Sequence, residues 1–251
     1  MSTLTRKQRE VQQRELMLLD VARKILIEQG YAGLTMDRVA EATEYSKWTV
    51  YQHFATKEDL VAALLIQSTE HRLALFTRAL TFQGRPRERL CALGVADELF
   101  TIKHPHSFRS EQIIKMADLE NRASAARREA MERQDDCVMG WIRGVVDEAI
   151  AAGDLALPSP LTSGDLTFAM LAMVLGSHNL RVNHGRMLEG LLSATPLAIL
   201  RSSIHVLLDG YGWKPLQAEW DYPSTYLRIY EHAFADEPAI KAITSLVEVA
   251  P

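Results

Sequence analysis

An all-α fold is predicted for this chain, and three observations predict it. Apolar residues recur at the i, i+3, i+4, i+7 spacing of a buried helix stripe. Ser, Thr, Gly and Pro fall where helices start and stop. No stretch reads convincingly as a strand, and no internal repeat appears. Two domains fit the 251 residues: a small N-terminal one over 1–60, then a helical one over 61–215 with a C-terminal helical extension over 216–251.

Helix by helix, the pattern is as follows. A first helix is expected over 11–29, with Leu18, Val21, Ala22 and Ile25 inward and Gly30 as its stop. Residues 1–9 hold Arg6, Lys7 and Arg9 and no acid, a basic arm suited to a phosphate backbone or to a solvated tail. Thr35 caps a short second helix whose inner face is Met36, Val39 and Ala40. Residues 43–45 form a turn, and Ser46 caps a third helix over 47–54. Thr56 and Asp59 form a capping box that opens a long helix over 57–80, with Leu60, Val61, Leu64 and Leu65 inward. This helix is expected to connect the two domains. Further helices are expected over 86–103, 108–122, 124–152, 163–181, 196–210 and 224–235, with a last short one after Glu237-Pro238.

The third helix carries the functional signal. At about 100° per residue, Val50 and Phe54 fall on one side, while Trp48, Thr49 and Gln52 fall on the other. Lys47, Tyr51 and His53 lie between. A reader of the DNA major groove needs this division, with outward side chains meeting base edges and flanking ones reaching phosphates. Lys57 sits in the first turn of the following helix, where a cation opposes the helix dipole unless an anion lies nearby.

The residues G-Y-x-x-L-T-M-x-x-V-A-x-A-T-x-Y-S-K-W-T-V-Y-Q-H-F-x-T-K-E-D-L resemble the helix-turn-helix domain of the TetR/AcrR family of transcriptional regulators. The likeness covers about 15–64, with Gly30, Thr35, Val39, Ala40, Ser46, Thr49, Tyr51, Phe54, Lys57 and Glu58 at the family's spacing. Two positions depart from it: Trp48 stands where a small residue is usual, and Glu44-Tyr45 stands where Gly-Val is usual. The resemblance implies a phosphate contact for Thr35. It also implies a homodimer on a palindromic operator and a small-molecule effector in the second domain. Base contacts then fall to Lys47, Trp48, Thr49 and Gln52, with phosphates held by Thr35, Tyr51, His53 and Lys57, and Ser46 as the cap.

Two later helices are apolar on more than one face, which suggests burial between subunits. Leu166, Met170, Met173 and Val174 stripe the first, and Leu197, Leu200, Ile204, Leu207 and Leu208 the second. The family uses its eighth and ninth helices as a four-helix dimer interface. By the same resemblance an effector pocket is expected among helices within 86–181, with Phe76, Phe100, Phe108, Met116, Met139, Trp141, Met170 and His178 as candidates.

Charge does not announce nucleic acid. The net charge is −4, and residues 1–60 are neutral with nine cations against nine acids, so recognition rests on where the cations sit. No apolar run is long enough for a membrane span, and no apolar leader core appears, so a cytoplasmic protein is expected. Cys91 and Cys137 are far apart and read as reduced thiols. His104, His106, His178 and His184 lack a ligand spacing, so neither metal nor cofactor is expected. No nucleophile elbow, phosphate loop or dinucleotide fingerprint is present, so an enzyme is not expected. An activator, a ligand-independent regulator and a helical enzyme or scaffold are the alternatives to a ligand-responsive repressor.

Overall fold

The computed structural model describes residues 5–116 and 122–237, and the short helix expected beyond Pro238 lies outside them. Eleven α-helices run through the described residues: α1 (Arg6–Gly33), α2 (Met36–Thr43), α3 (Lys47–His53), α4 (Lys57–Ala79), α5 (Pro86–Lys103), α6 (Pro105–Met116), α7 (Ala125–Ala151), α8 (Ser163–Asn183), α9 (Gly185–Leu188), α10 (Pro196–Gly210) and α11 (Tyr222–Ala233). A 3-10 turn at Gln217–Glu219 precedes the last. The all-α expectation holds, and no strand occurs among the described residues.

Two boundaries moved for identifiable reasons. α1 starts at Arg6 rather than near Val11, because Thr5 and Gln8 form a capping box that satisfies the first free N–H groups. Gly30 breaks the helical geometry with φ 70°, a conformation open to glycine, before one last turn to Gly33. α6 starts at Pro105, three residues before the expected 108. Pro105 takes the first helical position, where its missing N–H costs nothing.

Two compact units make up the chain: Met1–Glu70 with His104–Gln134, and His71–Lys103 with Asp135–Pro251. The first unit therefore takes α6 and the start of α7 in addition to the N-terminal helices, which a linear division at residue 60 does not anticipate. Its core joins Leu18, Ala22 and Leu26 of α1, Val39 of α2, Val50 and Phe54 around α3, Leu60 and Leu64 of α4, and Ile114 of α6. The stripes expected from periodicity supply most of it, with Val21 packed at its margin. The rows of α2 and α3 are too short to be stable alone. Burial of Val39, Val50 and Phe54 against α1 and α4 holds them.

The second unit is built differently. α8 packs against α10, and α5 against α11. α5 buries charged groups as well as apolar ones, Arg87, Glu88 and Glu98 among them. Arg87 pairs with Asp209 at 2.7 Å. Arg201 pairs with Glu98 at 2.5 Å and donates to the Tyr230 hydroxyl at 3.1 Å. Arg228 and Thr225 both donate to Glu88. Buried charges cost several kcal/mol each unless they are paired and hydrogen-bonded, and here the partners come from α10 and α11.

His205 sits inside this network with 4% exposure. An Arg87 nitrogen lies 3.3 Å from its Nδ1, and its Nε2 lies 2.9 Å from the Tyr226 hydroxyl. A guanidinium only donates. Nδ1 therefore accepts, and Nε2–H donates to Tyr226. Burial first, then the neighbouring Arg87 charge, hold the imidazole pKa at about 4, below the ordinary 6.5. The unfolded chain then takes up a proton that the folded chain refuses. Stability is complete above about pH 6.5 and falls as pH drops towards about 4, by about 3 kcal/mol from this residue. Urea unfolding across that range is expected to show the loss in the native chain and a flatter profile in His205→Gln.

Candidate nucleic-acid interface

α2, its turn and α3 present the site. Thr35 stands at the N-terminus of α2 with its hydroxyl accepting from the Arg38 amide at 3.2 Å. Glu44 ends α2 in the left-handed region at φ 58°. That conformation costs a side-chain-bearing residue about 1 kcal/mol, which is the physical reason a glycine is usual there. Ser46 accepts from the Thr49 amide at 3.1 Å, and its hydroxyl lies 2.8 Å from the Thr49 hydroxyl. The expected caps are thus in place on both helices.

The wheel of α3 is seen as expected in its main division. Val50 and Phe54 are 0% and 1% exposed, whereas Trp48 and Tyr51 are 70% and 49% exposed. Gln52 and Lys47 are exposed, and Thr49 is half-buried beside its cap. An indole left 70% in water has no structural use in an isolated chain, so Trp48 is available to a partner. Lys47 reaches across to Asp37 of α2 at 2.5 Å, and that hydrogen bond raises its pKa.

His53 and Lys57 are placed otherwise than the wheel suggests. The His53 side chain is 7% exposed and its Nδ1 lies 3.7 Å from Glu15 of α1, so its ring faces inward. Arg127 of α7 lies 3.5 Å from the same carboxylate and 5.8 Å from the Phe54 ring centre. Lys57 donates to the Tyr31 carbonyl at 2.6 Å and stacks 3.5 Å from that ring's centre. The Tyr31 hydroxyl donates to Glu58 at 2.7 Å. Burial, then this bond, push the Tyr31 pKa up to about 12. Desolvation lowers that of Lys57. The expected cation at the start of α4 thus also ties α4 to the end of α1.

In the second unit the expected interface residues divide. Leu166, Met170 and Leu208 are 1%, 5% and 1% exposed, buried within the single chain. Met173, Val174, Leu197, Leu200, Ile204 and Leu207 are half-buried. The outward apolar row is instead Phe168, Ala172 and Leu175 on α8, with Ile199 and Val206 on α10; Phe168 and Val206 are 73% and 64% exposed. Periodicity alone cannot choose between faces of a helix that is apolar all round.

The expected pocket residues scatter. Phe108 and Met116 belong to the first unit, and the Met116 side chain lies outside the described residues. Met139 is 38% exposed and Trp141 half-buried. Phe76, Phe100, Met170 and His178 are buried in the second unit. Two of these meet through partners that sequence reasoning missed. His178 lies 2.7 Å from Asp97, Arg72 lies 3.2 Å from the same carboxylate, and the Arg72 guanidinium stacks 4.2 Å from the Phe100 ring centre. Burial opposes ionisation of Asp97, but His178 and then Arg72 hold its pKa at about 2. The signal was present as adjacent acids, Asp97-Glu98, in the otherwise uncharged stretch 90–102. Among the described residues no group of three or more His, Cys, Asp or Glu could hold a metal, and no helix is long and apolar enough to cross a membrane.

Comparison with known proteins agrees with this geometry. Residues 18–64 match the family described as bacterial regulatory proteins, tetR family. The transcriptional regulator UidR of Escherichia coli is 35% identical over 69 residues, 28% of this chain and 35% of that protein. The transcriptional activator FasR of Mycolicibacterium smegmatis is 31% identical over 80 residues, 32% of this chain and 36% of that protein. The matched segments thus span about a third of those relatives' own length. The ketosteroid transcriptional regulator KstR2 of Mycobacterium tuberculosis shares the fold with a TM-score of 0.57 at 20% identity, covering 78% of this chain and 94% of that one. Residues 18–64 thus form a helix-turn-helix, with these caps and this exposed face, that is similar to the one in bacterial regulatory proteins of the tetR family.

Proposed function

We propose that the chain is a ligand-responsive transcriptional repressor that binds a palindromic operator as a homodimer. One observation carries the reading: α3 buries Val50 and Phe54 and leaves Trp48, Tyr51 and Gln52 open to a partner. Lys47, Trp48, Thr49 and Gln52 read base edges, and Thr35 and Tyr51 take phosphates, with Ser46 holding the start of α3. His53 acts through Glu15 on the pose of α3 rather than by touching DNA. Lys57 serves the α1–α4 junction and offers its remaining donors to a phosphate.

The homodimer forms through α8 and α10. α8 packs against α10, and each carries an outward apolar row that a twofold four-helix contact would cover. Two α3 helices then sit about 34–36 Å apart on one face of the duplex. An effector bound in the second unit favours a spacing that does not fit, and by linkage DNA and effector weaken each other. KstR2, a ketosteroid transcriptional regulator with this fold, supports the reading of a small-molecule effector. FasR, named an activator, favours activation as the second reading.

Selection from random duplexes with purified protein tests the proposal. An inverted repeat is expected to emerge, and a reporter placed behind it then separates repression from activation. Trp48→Gly is expected to alter the selected bases, with about 1–3 kcal/mol of discrimination lost at one position in each half-site. An identical selected sequence would remove Trp48 from base reading.

A further inference from the structure

The face formed by α2, its turn and α3 carries few cations. Lys47 donates to Asp37 at 2.5 Å. Arg38 donates to Gln29 at 2.5 Å and to the Gly33 carbonyl at 2.9 Å. Lys57 donates to the Tyr31 carbonyl at 2.6 Å. Asp37, Glu41 and Glu44 are exposed on the same stretch. Phosphate contacts supply most of the non-specific affinity of a DNA-binding protein, so such a face needs cations from elsewhere.

The first two turns of α1 carry them. Arg6, Lys7 and Arg9 are exposed, and Glu10, bridged to Arg6 at 2.9 Å, is the one acid among residues 5–14. Residues 5–13 are exposed throughout, and their side-chain bonds among the described residues are local to the helix. Two helical turns without tertiary support are marginal in water. Here the Thr5–Gln8 capping box, worth about 1 kcal/mol, starts them. The extension joins the reading element at Arg14, whose guanidinium lies 5.5 Å from the ring centre of Tyr45. Tyr45 directly precedes Ser46, the cap of α3. Lys7 lies seven residues before Arg14, so the two share a helix face to within about 20° and stand about 10 Å apart along the axis.

We propose that the first two turns of α1 are a second DNA-contacting element, in which Arg6 and Lys7 grip backbone phosphates flanking the bases met by α3. The proposal rests on the DNA-binding reading above. Charge complementarity and continuity with the α3 cap choose the duplex as occupant over a second copy of the chain.

The test uses the full chain and a duplex selected by the native protein. Arg6→Gln, Lys7→Gln and Arg9→Gln are combined; Gln keeps nearly the helix propensity of Arg and Lys. The slope of log affinity against log salt is expected to fall by about 1.8 per bound subunit, two phosphates at about 0.9 each, with the selected bases unchanged. The charge-conserving set Arg6→Lys, Lys7→Arg and Arg9→Lys is expected to keep the native slope. An unchanged slope in the Gln variant, with native binding intact, overturns this inference alone. A native protein that selects no duplex overturns the DNA reading and this inference together. A changed sedimentation coefficient with an unchanged slope assigns the extension to a second copy and likewise overturns it.

Discussion

Arg87→Ala is expected to lower the unfolding free energy by about 3–5 kcal/mol, the loss typical of breaking a buried ion pair from one side. Arg87 is 0% exposed. It donates to the carbonyls of Trp213, Pro215 and His205, and it pairs with Asp209 at 2.7 Å. Removing it takes a donor from three carbonyls and from a partly buried carboxylate at once; Pro215 keeps the Tyr222 hydroxyl and Asp209 keeps the Gln217 amide, but no other described cation is bonded to any of them. Arg87→Lys is expected to recover only part of the loss. One ammonium cannot reproduce a planar fork that spans α5, α10 and the segment after α10. The measurement is urea unfolding followed by far-UV circular dichroism at neutral pH. A change below about 1 kcal/mol would show that water replaces the guanidinium, and the network would lose its structural role.

Glutamate at Val206, alone or with Phe168→Glu, is expected to give a monomer and to weaken operator binding on the order of 100-fold. The two positions are 64% and 73% exposed, so neither change disturbs the core of the unit that carries it. In the proposed twofold contact, a charge in the outward apolar row loses water without gaining a partner. Loss of the mate converts two linked half-site contacts into one. Sedimentation equilibrium reads the first effect, and titration of full and half operators reads the second. Half-site affinity is expected to stay within a few-fold of native. A variant that sediments as a native dimer would place the subunit contact elsewhere, and the outward row on α8 and α10 would need another occupant.

Most helices were legible in the sequence because their signals are local. Thr35, Ser46 and Thr56 announce helix starts, and Gly30 announces a stop, since capping and left-handed backbone depend only on neighbouring residues. The α3 wheel was legible for the same reason. Its two sides differ sharply in polarity, so 100° per residue suffices to separate Val50 and Phe54 from Trp48 and Gln52. The flanking residues were less legible. His53 and Lys57 sit at the margin of the wheel, where Glu15 and the Tyr31 carbonyl, distant in sequence, decide which way each side chain turns.

Tertiary structure decided what periodicity leaves open. α8 and α10 are apolar on several sides, so pattern alone cannot say whether Leu166 or Phe168 faces the core; packing of one helix on the other buries the first and exposes the second. The ion network of α5 was hidden because a helix carrying Arg87, Glu88, Asp97 and Glu98 reads as half-solvated. Only the approach of α4, α8, α10 and α11 supplies partners close enough to repay their desolvation. Local chemistry in the chain was enough to specify the helices and the exposed face of the reading helix. Which remaining faces meet water, and which buried charges survive, was settled by contacts between residues far apart in sequence.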